Sequence, residues 1–296
     1  MGKAGKKCFR ERHASGLREG VGVGCAERVY LTLKNMKFLL SVASALAIVS
    51  SASASVLLSD AFSYTNGGLV AQSGGNWTNL SGSGTFLQVA EGEVAGIAHG
   101  SGSREDATRV FATTAIATGN NVFSSFSFTV NTAPTAGSDY FFAVHDAAAS
   151  NFRGRVFLSA PSSSGFRIGI SNSLNTPVFT SDLVTGQTYF AVVRHSNTTG
   201  VNSALWIGSS LSAISSVGAS SPTITASDTL GTLIAFSRVA LRQGNSITVA
   251  NSLDFDNLVI GNTFADVAPI PEPSTYAAIL GGVALLGVAA RRRRSV

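Results

Sequence analysis

The sequence predicts an all-β middle domain, a sandwich or barrel, over residues 55–268, with a targeting segment on either side. Three observations predict it. Short runs alternate apolar and polar residues with the period of a strand. Clusters of Gly, Ser, Asn and Thr punctuate those runs, and glycine, 31 of 296 residues, exceeds its usual share of about 7%. No unit repeats at a fixed longer period, which counts against a propeller or a β-helix.

Residues 1–35 hold eight Lys/Arg, three Glu and both cysteines, Cys8 and Cys25, with no apolar period. Met36-Lys37 then leads into an apolar run from Phe38 to Val49 and a small-residue stretch ending at Ala54. A basic start, an apolar run and the Ala52-Ser53-Ala54 motif make residues 36–54 a secretory signal peptide, cleaved between Ala54 and Ser55. Translation is expected to begin at Met36, which makes 1–35 an over-extended start; the alternative is a long n-region. No twin arginine precedes the apolar run and no cysteine follows it. The general secretory translocon is therefore the expected export partner, without a lipoprotein anchor.

Strands follow. In 122–130, Phe126, Phe128 and Val130 share one face while Ser127 and Thr129 share the other, the pattern of a half-buried strand. Phe166, Ile168 and Ile170 alternate with Arg167, Gly169 and Ser171. Residues 188–194 are apolar on both faces, as in a central strand. Segments 203–207, 233–241 and 252–260 read as strands too. Turn chemistry fills 73–76, 81–84, 100–103, 160–165 and 197–200. No helix is expected in this domain.

Between 55 and 268 eight arginines face twelve acidic residues, a net of −4, and no lysine follows Lys37. The basic excess of the whole chain sits in its targeting segments, so a nucleic-acid partner is not indicated. The domain has no cysteine. At 214 residues it can bury enough surface without disulfides.

The last segment, 269–296, combines Pro271-Glu272-Pro273, an uncharged apolar run over 275–290 and the block Arg291, Arg292, Arg293, Arg294. The prolines exclude a helix before residue 274. Residues 276–290 form a helix of about 22 Å, short of the roughly 30 Å hydrocarbon core, with arginine stems to extend its reach. Such a helix spans the inner membrane transiently, with the arginines on the cytoplasmic side.

This segment resembles the PEP-CTERM sorting signal of Gram-negative bacteria: a Pro-Glu-Pro motif, a short transmembrane helix and a basic cluster, in that order. The resemblance implies recognition by an exosortase, removal of the tail, and export to the cell surface or an extracellular matrix, commonly beside exopolysaccharide. More diffusely, 60–69, Gly75-Asn76-Trp77, 185–189, 205–207 and 256–261 resemble concanavalin A-like, laminin-G-like domains. That resemblance implies an antiparallel jelly-roll β-sandwich.

Little catalytic chemistry is visible. The Glu-x-Asp-x-x-Glu strand of laminarinase-type members of this fold is missing, and no Gly-x-Ser-x-Gly elbow occurs, so the domain is read as a non-enzyme. Glu91 with Glu93, and Asp254 with Asp256, are i, i+2 pairs, each expected on one strand face. Asp254, Asp256 and Asn257 supply oxygen ligands that suit calcium, the one cofactor considered. His99, His145 and His195 lack metal-ligand spacing and are expected at surface or edge positions. Trp206 is expected in the core, while Trp77, in a Gly/Asn-rich loop, is a candidate sugar-stacking residue. Three functions follow in order: a secreted surface or matrix component, a carbohydrate-binding module, and a glycoside hydrolase.

Overall fold

The computed structural model describes residues 55–100 and 102–268. The signal-peptide residues Ala52 and Ala54 and the whole sorting signal, Pro271, Glu272, Pro273 and Arg291 to Arg294 included, lie outside the described residues.

Sixteen strands are described. In chain order the first eight are β1 (Val56–Asp60), β2 (Gly67–Gly68), β3 (Thr78–Ser81), β4 (Gln88–Ala90), β5 (Glu93–His99), β6 (Asp106–Val110), β7 (Val122–Val130) and β8 (Ser138–His145). The others are β9 (Phe152–Ser159), β10 (Arg167–Ser171), β11 (Val178–Phe179), β12 (Thr188–His195), β13 (Ala204–Gly208), β14 (Ile224–Thr225), β15 (Arg238–Leu241) and β16 (Val249–Gly261). They form two antiparallel sheets, the jelly-roll sandwich expected. A nine-stranded sheet runs β14-β13-β12-β7-β16-β5-β4-β2, with β1 beside the second half of β16, and a seven-stranded sheet runs β11-β10-β9-β8-β15-β6-β3.

Alternation decides which residues enter the core between the sheets. Phe126, Phe128 and Val130 on β7, Leu253 and Phe255 on β16, Phe142 and Val144 on β8, and Ile168 and Ile170 on β10 all point inward. The ring of Phe126 stacks on Phe255 at 4.7 Å and meets Phe142 at 4.8 Å, which joins the two sheets at the centre. Gly154 on β9 sits at φ +56°, and a Cβ there would lie 2.3 Å from Nδ1 of His195 on β12. Only glycine lets the sheets approach so closely at that point.

Three short helices correct the expectation of none: α1 (Leu69–Gln72), α2 (Leu211–Val217) and α3 (Phe264–Val267). Their signals are local caps. Ser210 Oγ accepts from Ala213 N, and Thr263 with Asp266 closes a capping box. Two of them, α2 and α3, cover the outside of the nine-stranded sheet, where Ile214 and Phe264 pack on Val192 and Trp206. Trp206 is thus buried, and its Nε1 donates to Gly218 O at 3.1 Å. The same cover explains why β7 is buried on both faces rather than half-buried: Phe123 meets Phe264 edge-on. Segment 233–241 is strand only from Arg238, because Asn197 Oδ1 accepts from Ile234 N and holds that part in a loop. No described helix is long and apolar enough to cross a membrane.

Candidate functional site

Asp60 closes one end of the sandwich. Its Oδ2 accepts from Trp77 Nε1 at 2.8 Å, from Tyr64 OH at 2.9 Å and from Arg109 Nη1. Trp77 is 0% exposed and stacks on Phe62. This corrects Trp77 as a sugar-stacking candidate: its ring belongs to the core, because a carboxylate at the end of β1 gives its indole N–H a buried partner.

The histidines are also corrected. His99, His145 and His195 are all fully buried, not at the surface. Each reaches a hydroxyl on another strand of its own sheet: Ser252 Oγ at 3.2 Å, Thr108 Oγ1 at 2.8 Å and Ser124 Oγ at 2.8 Å, respectively. Burial lowers all three imidazoles from their usual range, His99 to about 4 and His195 to about 3. All three are buried, out of reach of a polysaccharide.

On the outer face of the nine-stranded sheet, Asp254 and Asp256 point away from the core, since Leu253 and Phe255 point into it. The other expected pair is not on one strand: Glu91 occupies the two-residue turn with Gly92, both at positive φ, while Glu93 opens β5. Burial first, then the charges of Asp254, Asp256 and Glu91, raise Glu93. Burial likewise raises Asp256. Asp254 accepts from Gly96 N and Asn131 Nδ2, both at 2.7 Å. Asp256 accepts from the amide and side chain of Asn257, at 2.6 and 2.7 Å. Asn257 stands at φ +56° in a bulge, so its own amide group is turned onto Asp256. Each of the four carboxylate oxygens of Asp254 and Asp256 accepts one amide N–H, so the pair is hydrogen-bonded within its own chain. Among the described residues no group of three or more His, Cys, Asp or Glu is arranged around a metal.

The seven-stranded sheet presents the opposite chemistry. Because Val156 and Leu158, Ile168 and Ile170, and Val239 and Leu241 face the core, Arg155, Arg167 and Arg238 face outward. A register shift in β8 turns Tyr140 outward beside Phe157 and Ala143. Tyr140 is 8% exposed, because two guanidiniums lie over it: Cζ of Arg242 is 4.1 Å and Cζ of Arg155 4.9 Å from the ring centre. Arg167 lies 4.9 Å over Phe179 in the same way. Burial lowers Arg155, which stays charged as arginine does. Arg242 Nε donates to Asp106 Oδ2 at 3.1 Å. Beside that pair lies a cavity of about 190 Å³, lined by Arg104, Asp106, Arg242 and Gln243 among others. Of these arginines, only Arg167 is placed on a strand face by sequence alone. Their alternation with core residues was a usable signal; their convergence across strands was not.

The chain is similar, at 10–12% identity, to several solved structures. One is the CBM2 module of the evolved Dit of Lactobacillus casei BL23 phage J-1, with a TM-score of 0.44 over 71% of this chain and 96% of that one. A second is the alginate lyase Aly36B, with a TM-score of 0.43 over 69% and 96%. A third is an alginate lyase from Alteromonas sp. 272, with a TM-score of 0.38 over 64% and 94%. No curated protein matches the chain. A family model described as the PEP-CTERM protein-sorting motif matches residues 269–294, the segment that holds Pro271-Glu272-Pro273 and the four arginines. The match implies export and processing at the membrane by an exosortase. The protein therefore carries a PEP-CTERM sorting motif behind an antiparallel β-sandwich.

Proposed function

We propose that this is a surface or extracellular-matrix protein whose sandwich works outside the cell as a non-catalytic module in contact with exopolysaccharide. The secretory translocon exports it by the signal peptide over 36–54. Residues 275–290 then hold it in the inner membrane, with Arg291 to Arg294 inside, until an exosortase removes the tail. The family match at 269–294 carries this reading. The reading requires no cofactor.

A carbohydrate-binding role is favoured over a purely inert spacer by the outward arginines of the seven-stranded sheet, because buried ring contacts and a carboxylate fix them in place. An enzyme is disfavoured because the three imidazoles of the described domain are buried. Replacing Arg291 to Arg294 with Glu, followed by fractionation of the host cells, tests the sorting. Uncleaved precursor should accumulate in the membrane fraction; unchanged surface display contradicts the reading.

A further inference from the structure

We propose that the outer face of the seven-stranded sheet binds a glycan chain of acidic sugars, whose acidic groups are held by Arg104, Arg242 and Arg155. This deepens the reading of the sandwich as a glycan-binding module and rests on it.

The geometry is that of a prepared anion site. Arg155 on β9, Tyr140 on β8 and Arg242 just after β15 lie on three neighbouring strands. Both guanidiniums lie over the ring, Cζ of Arg242 at 4.1 Å and of Arg155 at 4.9 Å from its centre, a contact that holds the charge without using its N–H groups. Asp106 fixes Arg242 further, and is itself fixed: its Oδ1 accepts from Gln243 N at 2.8 Å and its Oδ2 from Ser81 Oγ at 2.8 Å. Only Nε of Arg242 is engaged in that ion pair. Its two terminal nitrogens have no hydrogen-bond partner among the described residues. Arg155 donates from Nη1 to Asn175 Oδ1 at 2.8 Å, and its Nε is buried without a partner. Guanidiniums held this way lose little freedom on binding, which is where preorganised sites gain affinity.

The cavity gives the site a specific end. Arg104 and Arg242 both line it, and Nε of Arg104 is buried with no partner among the described residues. Two carboxylates stand beside it, Asp106, which pairs with Arg242, and Asp139, which accepts from Ser246 N behind Gly244, so the three arginines of the site face two acidic groups. At about 190 Å³ the cavity has room for several waters or one acidic group, since a water's share is about 30 Å³. From the cavity at β6 the basic residues continue over β15, β8 and β9 to Arg167 on β10. Four strand spacings make about 19 Å, the reach of a polymer rather than of a single small anion. The planar fork of arginine matches a carboxylate in two parallel bonds, and the exposed rim beside it offers Ser103 and Asn245 to hydroxyls.

The test uses the full-length chain in mild detergent. Calorimetry measures its affinity for polygalacturonate, for the same polymer fully methyl-esterified, for neutral dextran and for polyglutamate. The acid sugar is expected to bind at least about tenfold tighter than its ester, and to weaken between about 0.1 M and about 0.5 M NaCl. Arg155→Gln and Arg242→Gln should each weaken it about tenfold, while Arg194→Gln on the other sheet leaves it unchanged. Arg242→Gln removes a partner from Asp106, so its melting temperature is read alongside. Arg155→Gln breaks no ion pair and keeps the test decisive if Arg242→Gln unfolds. Arg155→Lys, which keeps the charge without the flat fork, should recover only part of the loss. Equal affinity for acid and ester, equal affinity for polyglutamate, or no loss in Arg155→Gln overturns the proposal. Dextran binding that survives those variants overturns it while glycan binding stands. Binding to none of the sugars overturns both.

Discussion

The two outer faces of the sandwich are built on the same alternation, yet they treat their charges in opposite ways. On the nine-stranded sheet Asp254 and Asp256 are turned onto amide donors of their own chain, and Glu93 is held above its usual range beside them. On the seven-stranded sheet Arg155 and Arg242 lie over Tyr140, each with one side-chain hydrogen bond and further N–H groups left without a partner among the described residues. The acidic face is satisfied from within, whereas the basic face is held open. Count alone hides this, since acidic residues outnumber arginines in the domain. Placement of the charges matters more than their total.

The comparison can be broken first at the frame both faces stand on. Asp60→Asn leaves Arg109 without its carboxylate and weakens the seat of Trp77. It should cost about 3 kcal/mol in chemical denaturation, with both faces lost together.

Acid should act next. His99 and His195 have folded-state values of about 4 and about 3, below the ordinary 6.5, so the unfolded chain takes up their protons first. Their contribution is complete above pH 6.5 and declines as pH falls toward those folded values. Between pH 7 and pH 5 the loss should be about 2 kcal/mol for each, seen as a shift in denaturation midpoint.

Single charges separate the faces more finely. Arg242→Gln should cost about 1 kcal/mol, through the ion pair with Asp106 and the contact with Tyr140. Glu93→Gln should instead stabilise slightly, by at most about 0.5 kcal/mol after solvent screening, because it removes a partly buried charge and its repulsion from Asp254, Asp256 and Glu91. Opposite signs sharpen the contrast; equal costs erase it. Smallest of all, millimolar calcium should move the melting temperature by less than about 1 °C. A larger shift, lost in Asp256→Asn, would make the acidic face a cation site.

How much of this could be read from sequence depends on how local each signal is. The bounds of β7 were legible because Phe126, Phe128 and Val130 repeat every second residue. The sorting segment was legible because its chemistry lies in one continuous run, Pro271 to Arg294. Trp77 was not, because its indole partner, Asp60, is 17 residues away and reaches it only after β1 and β3 are placed. The buried histidines were not, because each depends on a hydroxyl contributed by another strand. For the basic face, the alternation of Arg167 with Ile168 announces an outward side, but nothing local says that β9, β8 and β15 lie side by side. Sites made by register between distant segments are set by folding, not by spacing.

Neither face meets a glycan unless the sandwich leaves the cell, so the central claim is tested most directly by intact mass spectrometry of the protein recovered from the cell exterior. The account predicts a mature chain that begins at Ser55 and ends before Arg291. Recovery of protein that still carries Arg291 to Arg294 and the Ser295-Val296 end would contradict it.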